Sequence, residues 1–437
     1  MMKKLSLHWQ ILIAILLAAF AGSLVRHSSL DGVTAKFLGM TYLSIFEYIG
    51  TLFLNALRMI IVPLIVSSII VGIAGIGDAV NLRLIGVRTI IFYAVTTIFA
   101  IFIGLCLINL VAPGYVDNEP AGKLLSLNSH DTDALSENIN SRGVSDVANI
   151  FIRMVPPNII KAAADGQMLG LIFFSILFGY FMTKLPAQLK GSFFNFWDAV
   201  FRVMMGITEL IMKFAPIGVF GLVAGVIAKT GFDAVKPLAV FSITVVAALI
   251  IHAVVILPLM LRYIARINPV TTIKAASSAM LTAFSTASSS ATLPVSMKVL
   301  EKNIGVSNKI SSFVLPLGAT VNMNGTALYE CAAAMFLAQA YGLELSMGVQ
   351  FTIVVVALLT SIGVAGVPSA SLVAIAIILG SIGLPVEAIG VLMVFDRILD
   401  MFRTSINVWG DIVCATIIAR LSGEKTNVSI PQSGNHS

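Results

Sequence analysis

The chain has 437 residues, of which 58% are hydrophobic and 11% charged, with a formal net charge of +6; ordinary soluble domains carry roughly a quarter charged residues, so that class is excluded. A mean hydropathy of +0.98 and a pI near 9.2 describe an integral membrane protein whose basic residues are scattered through short loops, a topology signal rather than a nucleic-acid surface. Apolar runs of about 20 residues, each able to cross the ~30 Å hydrocarbon layer as a helix, recur from end to end, and their continuity favours helices over alternating barrel strands. Cys106, Cys331 and Cys414 lie in apolar segments at unrelated spacing and read as small buried hydrophobes, not as a metal motif or disulfide framework.

Lys3 and Lys4 precede an apolar run through Ala19-Phe20-Ala21, the shape of a signal-peptide cleavage site. The run continues through Leu24 and Val25, so it reads as an uncleaved first helix over 8–25. Helix 2 is expected over 45–74, too long to stand upright and therefore tilted. Helix 3 is expected over 84–111, with Arg83 and Arg88 marking a cytoplasmic start. Residues 113–146 carry Asp117, Glu119, Asp131, Asp133, Glu137 and Asp146 against Lys123 and Arg142. That composition suits an extracytoplasmic loop, tolerated as an insertion without a functional role. Breaks at VPPN (155–158) and ADGQ (164–167) predict a segmented helix 4. Helix 5 is expected over 196–228, kinked at Ala215-Pro216, and helix 6 over 237–264. With a cytoplasmic N-terminus, alternation places Lys184, Lys190, Arg262, Arg266 and Lys274 on the inner side, consistent with six spans before residue 270.

The pattern then changes. Residues 276–297 are crowded with hydroxyls, and 346–384 contain two apolar runs separated by 361–371. Both read as re-entrant hairpins, whose non-helical tips are tolerated at membrane depth only where they line a cavity or lie buried in protein. Paired interrupted segments of this kind mark transporter binding sites and inverted repeats. Between them, a span over 307–340 is interrupted at Asn322-Met-Asn-Gly-Thr326. The last span, 388–420, is followed by a polar tail expected to be disordered over 423–437. The fold class is an all-α polytopic membrane protein of eight transmembrane helices plus two re-entrant helical hairpins.

Within the last span, Asp396, Asp400, Arg403, Asn407 and Asp411 fall on one helical stripe. Intramembrane charges are costly and mark function. Arg403 can hold a carboxylate through two prongs, and Asp400, one turn away, can accept from an ammonium. Together they describe an acidic amino acid, its second carboxylate met by donors of a Ser-rich hairpin tip. Asn322, Asn407, Asp411 and carbonyls near Gly318 form an all-oxygen set suited to a small hard cation. Glu330 lies in apolar surroundings; it reads either as a proton carrier or as a carboxylate facing a water-filled vestibule. Asp396 and Arg397 are expected to form a structural charge pair.

Ser288-Ser-Ser-Ala-Thr-Leu-Pro294, Asn322-Met-Asn-Gly-Thr326, Ala365-Gly-Val-Pro368 and Asp400-Met-Phe-Arg-Thr404 with Asn407 and Asp411 resemble, in order, the motifs of the dicarboxylate/amino acid:cation symporter family, which includes glutamate and aspartate transporters. The resemblance implies the glutamate-transporter fold with inverted repeats and a homotrimer. A scaffold would comprise 1–82 (helices 1 and 2) and 147–230 (helices 4 and 5). A moving transport domain would comprise helix 3 (83–112) and 231–422. Implied substrate contacts are Ser288, Ser289, Thr326, Val367, Asp400, Arg403, Thr404 and Asn407. One sodium ion would use Gly318, Asn322, Asn407 and Asp411; a second Thr320, Met323, Ser361, Ile362 and Val364; a third Tyr93, Thr96, Thr97, Asn322 and Asn324. Asn324 stands where the family pattern has aspartate, which removes a charge from the third site. Ala287 replaces an arginine of archaeal members. Glu330 matches the proton-carrying glutamate of animal members, favouring proton co-transport alongside sodium.

The expected activity is therefore import of L-glutamate or L-aspartate, driven by sodium and proton gradients by alternating access, with no enzymatic role and no cofactor beyond the coupling ions. Membrane lipid surrounds such a chain, no nucleic acid is implied, and a bacterial inner membrane with both termini cytoplasmic is the expected location. A C4-dicarboxylate or cystine symporter of the same family is the nearest alternative. An ion channel is favoured less because paired broken hairpins suit alternating access. A membrane enzyme with a serine nucleophile lacks a partner base, since His8, His27, His130 and His436 lie near termini or in loops and His252 in a separate span.

Overall fold

The computed structural model describes residues 7–30, 36–37, 40–74, 80–125, 127, 152, 155–165, 168–231, 235–363 and 370–428. The helices in order are α1 (Leu7–Leu30), α2 (Tyr42–Ala74), α3 (Val80–Val111), α4 (Ile159–Ala164), α5 (Met168–Met182), α6 (Ala187–Lys213), α7 (Ala215–Thr230), α8 (Val235–Ile251) and α9 (Leu257–Ile264). They continue as α10 (Pro269–Thr286), α11 (Ser289–Lys298), α12 (Asn308–Val321), α13 (Asn324–Ala340), α14 (Met347–Gly363), α15 (Ala370–Ile382) and α16 (Ile389–Leu421). The all-α expectation misses two small antiparallel ladders, β1 (Lys36–Phe37) with β2 (Met40–Thr41) and β3 (Tyr115–Val116) with β4 (Glu119–Pro120).

By length and composition, two described helices, Ile85–Val111 and Val235–Ile264, qualify as complete spans. Ala187–Ile211 with Ala215–Lys229, bent by 53°, makes a third if taken together. α16 and the α12–α13 pair fall short for reasons visible in their sequence. α16 carries Asp396, Arg397, Asp400 and Arg403 within two turns, and α12 and α13 are separated by the break at Asn322 and Met323. α2 runs for 33 residues with Pro63 inside it. At ~1.5 Å per residue that is about 50 Å, well beyond an upright crossing.

Packing sorts the helices into two groups. α1 and α2 pack on α7, and α2 also on α5 and α6; α3, α8 and α10 through α16 pack largely among themselves. Seams between the groups run through α7 on α16 and through α2 and α5 on α14. Helices in lipid gain little from hydrophobic exclusion and associate through close backbone approach at small residues. Gly218 fits that rule, since a methyl group there would overlap the Phe53 ring, and a methyl on Gly221 would lie 2.8 Å from the Phe46 carbonyl. Gly218→Ala is expected to cost ~1–3 kcal/mol through overpacking, read as a lower melting temperature in detergent; an unchanged melt would contradict the α2–α7 contact.

Helix 5 begins earlier than expected. The segment from 187 looks polar, yet Phe194 and Trp197 pack against Ile70, Ala74 and Met182, and Trp197 meets Phe178 edge-on at 5.7 Å. The expected start at 196 therefore leaves out the first turns of an amphipathic helix, and the break at Phe214 divides it from α7. The acidic segment begins as ordered chain, with Ala121 and Leu125 fully buried. Its remainder, 128–146, lies outside the described residues. The tail is also structured through Val428, where Asn427 N donates to Ile304 O at 2.8 Å and Asn268 N to Val428 O at 3.0 Å.

The first hairpin is two helices, α10 and α11, joined at Ala287, which adopts φ 48°, and Ser288, whose hydroxyl accepts from Ala291 N and caps α11. α14 and α15 form the second; its tip, 364–369, lies outside the described residues.

Candidate functional site

α16 places its stripe against the break between α12 and α13. Asn322 ends α12 and Met323 precedes α13, both outside helical geometry. The broken ends leave backbone groups without helical partners, and side chains of α16 take some of them up. Asn407 Oδ1 accepts from Gly325 N at 2.8 Å, while its Nδ2 donates to Thr326 Oγ1 at 3.1 Å and lies 3.3 Å from Met323 Sδ. One asparagine therefore binds both the break itself and the first turn of α13.

One turn earlier is a buried charge cluster. Arg403 Nη2 donates to Asp396 Oδ1 and to Asp400 Oδ1, each at 3.0 Å, and Arg397 Nη1 donates to Asp400 Oδ2 at 3.5 Å. The Arg403 guanidinium stacks over Tyr329, 3.9 Å from the ring centroid. The expected Asp396–Arg397 pair does not form; each binds along the stripe instead. Adjacent helical residues point about 100° apart, whereas residues three, four or seven apart share a face. Arg403 is 0% exposed, yet its Nε and Nη1 have no hydrogen-bond partner among the described residues. A guanidinium satisfied on one nitrogen and bare on two retains donors for a further anion.

Glu330, on α13 beside Tyr329, accepts from Thr360 Oγ1 at 3.0 Å through Oε2, and its buried Oε1 has no partner.

Below the charge cluster, Asn322 Nδ2 donates to Asp411 Oδ1 at 2.8 Å, and Asn322 Oδ1 has no partner. Gly318 is required here: a methyl on it would run into the Asp411 carboxylate, and it would lie 2.6 Å from the Tyr93 hydroxyl. Gly410 lies against the Asn322 and Asn324 amides. Tyr93 OH donates to Val314 O at 3.1 Å. Thr96 Oγ1 donates to Phe92 O at 2.9 Å, and Thr97 is buried beside it. The structure thus brings Tyr93, Gly318, Asn322, Asn324, Asn407 and Asp411 to one neighbourhood. Asn322 Oδ1 and Asn324 Oδ1, without partners among the described residues, are the ligand chemistry a hard cation takes.

Thr404 and Ser289 are buried, and Ser288 is half-buried at the hairpin tip. Hairpin and stripe are joined by Ser405 Oγ donating to Met280 O at 3.1 Å and by Phe284 meeting Phe402 edge-on at 5.1 Å. Thr320 and Ser361 spend their hydroxyls on their own helices, donating to Leu317 O and Leu358 O. Ile362 belongs to α14; Val364 and Val367 lie outside the described residues. Sequence reasoning missed Tyr329, Thr360, Trp409 and the partner of His252. Tyr329 and Thr360 stand next to predicted site residues, a signal that only contact across helices converts into a role.

Buried, partly satisfied charges and amides at a broken helix define a helical membrane transporter for a charged solute and cations. The sequence profile of the sodium:dicarboxylate symporter family matches residues 7–421, and the chain belongs to that family. It is 35% identical over 419 residues to the proton/glutamate-aspartate symporter of Escherichia coli (strain K12), covering 95% of this chain and 93% of that protein. It is 34% identical over 423 residues to the proton/sodium-glutamate symport protein of Geobacillus stearothermophilus, covering 97% and 96%. To excitatory amino acid transporter 3 of Homo sapiens it is 34% identical over 453 aligned positions, covering 94% and 84%.

Proposed function

We propose that the protein imports L-glutamate or L-aspartate in symport with sodium and protons. The observation that carries this reading is Arg403: buried, anchored through Nη2 to Asp396 and Asp400, and without partners on Nε and Nη1 among the described residues. A substrate carboxylate would accept from one of those two nitrogens, which lie on different edges of the guanidinium. Asp400, with Thr404 and Asn407 on the following turn, would face the α-amino group; Ser288 and Ser289 would approach from the first hairpin, and Thr326 and Val367 from the break and the second hairpin. Names of relatives that include glutamate, aspartate, proton and sodium support the substrate and the coupling ions.

Sodium would be held by Gly318, Asn322, Asn407 and Asp411, by Thr320, Met323, Ser361, Ile362 and Val364, and by Tyr93, Thr96, Thr97, Asn322 and Asn324. The proton would travel on Glu330. Eight spans with two hairpins in inverted repeats, a scaffold of 1–82 and 147–230, a transport domain of 83–112 and 231–422, and a homotrimer in a bacterial inner membrane with cytoplasmic termini complete the proposal. The two packing groups of helices support that division, with the group containing α16 moving against the other.

Uptake of radiolabelled aspartate into proteoliposomes, with sodium and proton gradients imposed separately, tests the coupling. Accumulation under either gradient is expected, greatest with both; indifference to both would overturn symport. Asp411→Asn, nearly isosteric, removes the carboxylate beside Asn322. It is expected to raise the sodium concentration for half-maximal uptake by about tenfold or more, measured by sodium titration at saturating aspartate.

A further inference from the structure

We infer that His252 is a positioning residue for cation binding, fixing the orientation of the Asn324 amide by engaging its Nδ2 and leaving Oδ1 for the cation. The inference rests on the proposed cation site at Asn322 and Asn324.

It begins with Pro258, at the second position of α9. Proline has no N–H, and its ring crowds the preceding turn, so the helix must widen ahead of it. It does so as one π-helical turn, His252–Ile256, in which Leu257 N donates to His252 O. The next bond of that pattern would run from residue 258 to Ala253 O, and Pro258 cannot make it. The indole of Trp409, on α16, donates to Ala253 O at 3.1 Å instead. The widened turn is thereby fastened to the helix that carries the substrate stripe. Such turns recur at functional sites.

The same turn aims His252 at the break. His252 Nε2 lies 3.3 Å from Asn324 Nδ2. An amide nitrogen can only donate, so this contact corresponds to the tautomer in which Nε2 accepts and Nδ1 carries the proton, Nδ1 being without a partner among the described residues. With its nitrogen so engaged, the amide's oxygen faces the other way, and Asn324 Oδ1, like Asn322 Oδ1, is buried without a partner. Asn322, Asn324 and His252 are all 0% exposed. Without an acceptor at 252, nothing in this contact distinguishes the two faces of the amide, and the flipped form would present N–H groups to the cation. An uncharged Asn324 is useful to a cation only through that oxygen, which makes its orientation decisive.

The test uses the full-length protein in proteoliposomes and in detergent. His252→Leu removes the acceptor at similar bulk, and His252→Gln retains one in its side-chain carbonyl. For His252→Leu, half-saturation by sodium should rise at least tenfold while the aspartate KM at saturating sodium stays within twofold. His252→Gln should restore sodium half-saturation to within threefold of the parent. Thermal stabilisation by sodium chloride over choline chloride, without amino acid, should shift in parallel. Unchanged sodium dependence in His252→Leu, or equal loss in both variants, overturns the positioning role. Asn324→Ala separates the two readings: if it leaves sodium dependence unaltered, the cation site is misplaced and the inference falls with it. If Asn324→Ala weakens sodium binding while His252→Leu does not, only the role of His252 is lost.

Discussion

Arg403→Cys is expected to abolish uptake of acidic amino acids while leaving a folded carrier. The substitution removes both Nε and Nη1, the donors left for the substrate carboxylate, together with the nitrogen that holds Asp396 and Asp400 at 3.0 Å. Truncating one partner of a buried charged hydrogen bond costs ~2–5 kcal/mol; about 3 kcal/mol is already more than a hundredfold in affinity. Two aspartates would then share Arg397 alone, which makes an anionic solute less welcome still and a neutral amino acid more so. Competition of unlabelled glutamate, aspartate, serine and alanine against labelled substrate measures the change. Arg403→Lys is the companion variant: it keeps the charge without the planar fork, so a similar loss there assigns recognition to geometry rather than charge. Aspartate affinity unchanged in Arg403→Cys would sink the substrate assignment.

Glu330→Gln is expected to separate exchange from net transport. The carboxyl accepts from Thr360 and its other oxygen is buried without a partner, a situation a proton relieves by turning an acceptor into a donor. Glutamine supplies the same donor permanently at nearly the same volume. Exchange of internal for external aspartate should therefore persist. Net uptake should lose its pH dependence, which in the parent approaches about tenfold per pH unit where proton loading limits the cycle. A pH profile identical to the parent's would remove Glu330 from the proton path.

What was legible in the sequence was mainly periodic. Asp396, Asp400, Arg403, Asn407 and Asp411 share one face because their spacing matches the helix, and the structure puts them on the break at Asn322, itself announced by an Asn-Gly-rich interruption. Pairing within the stripe was not legible by adjacency: Asp396 reaches Arg403, seven positions on, rather than Arg397 beside it. The start of α6 escapes a sequence reading because Phe194 is interleaved with lysine, glutamine and asparagine, and its apolar face becomes visible only once α2 and α5 cover it. The His252 contact depends on where Pro258 widens a helix and on which distant side chain meets the freed carbonyl, Trp409. Neither is a local property of the chain.

The short segment after α16 has a mechanical consequence. Glu424 accepts from the backbone N–H and hydroxyl of Ser307, capping the start of α12, while Asn427 and Val428 bind the chain on either side of the first hairpin. With Phe284 and Ser405 stitching the middle, the hairpin is clasped at its base and along its length to one rod. A part held in that way resists being peeled open alone; it travels with the rod, like a blade riveted to its handle.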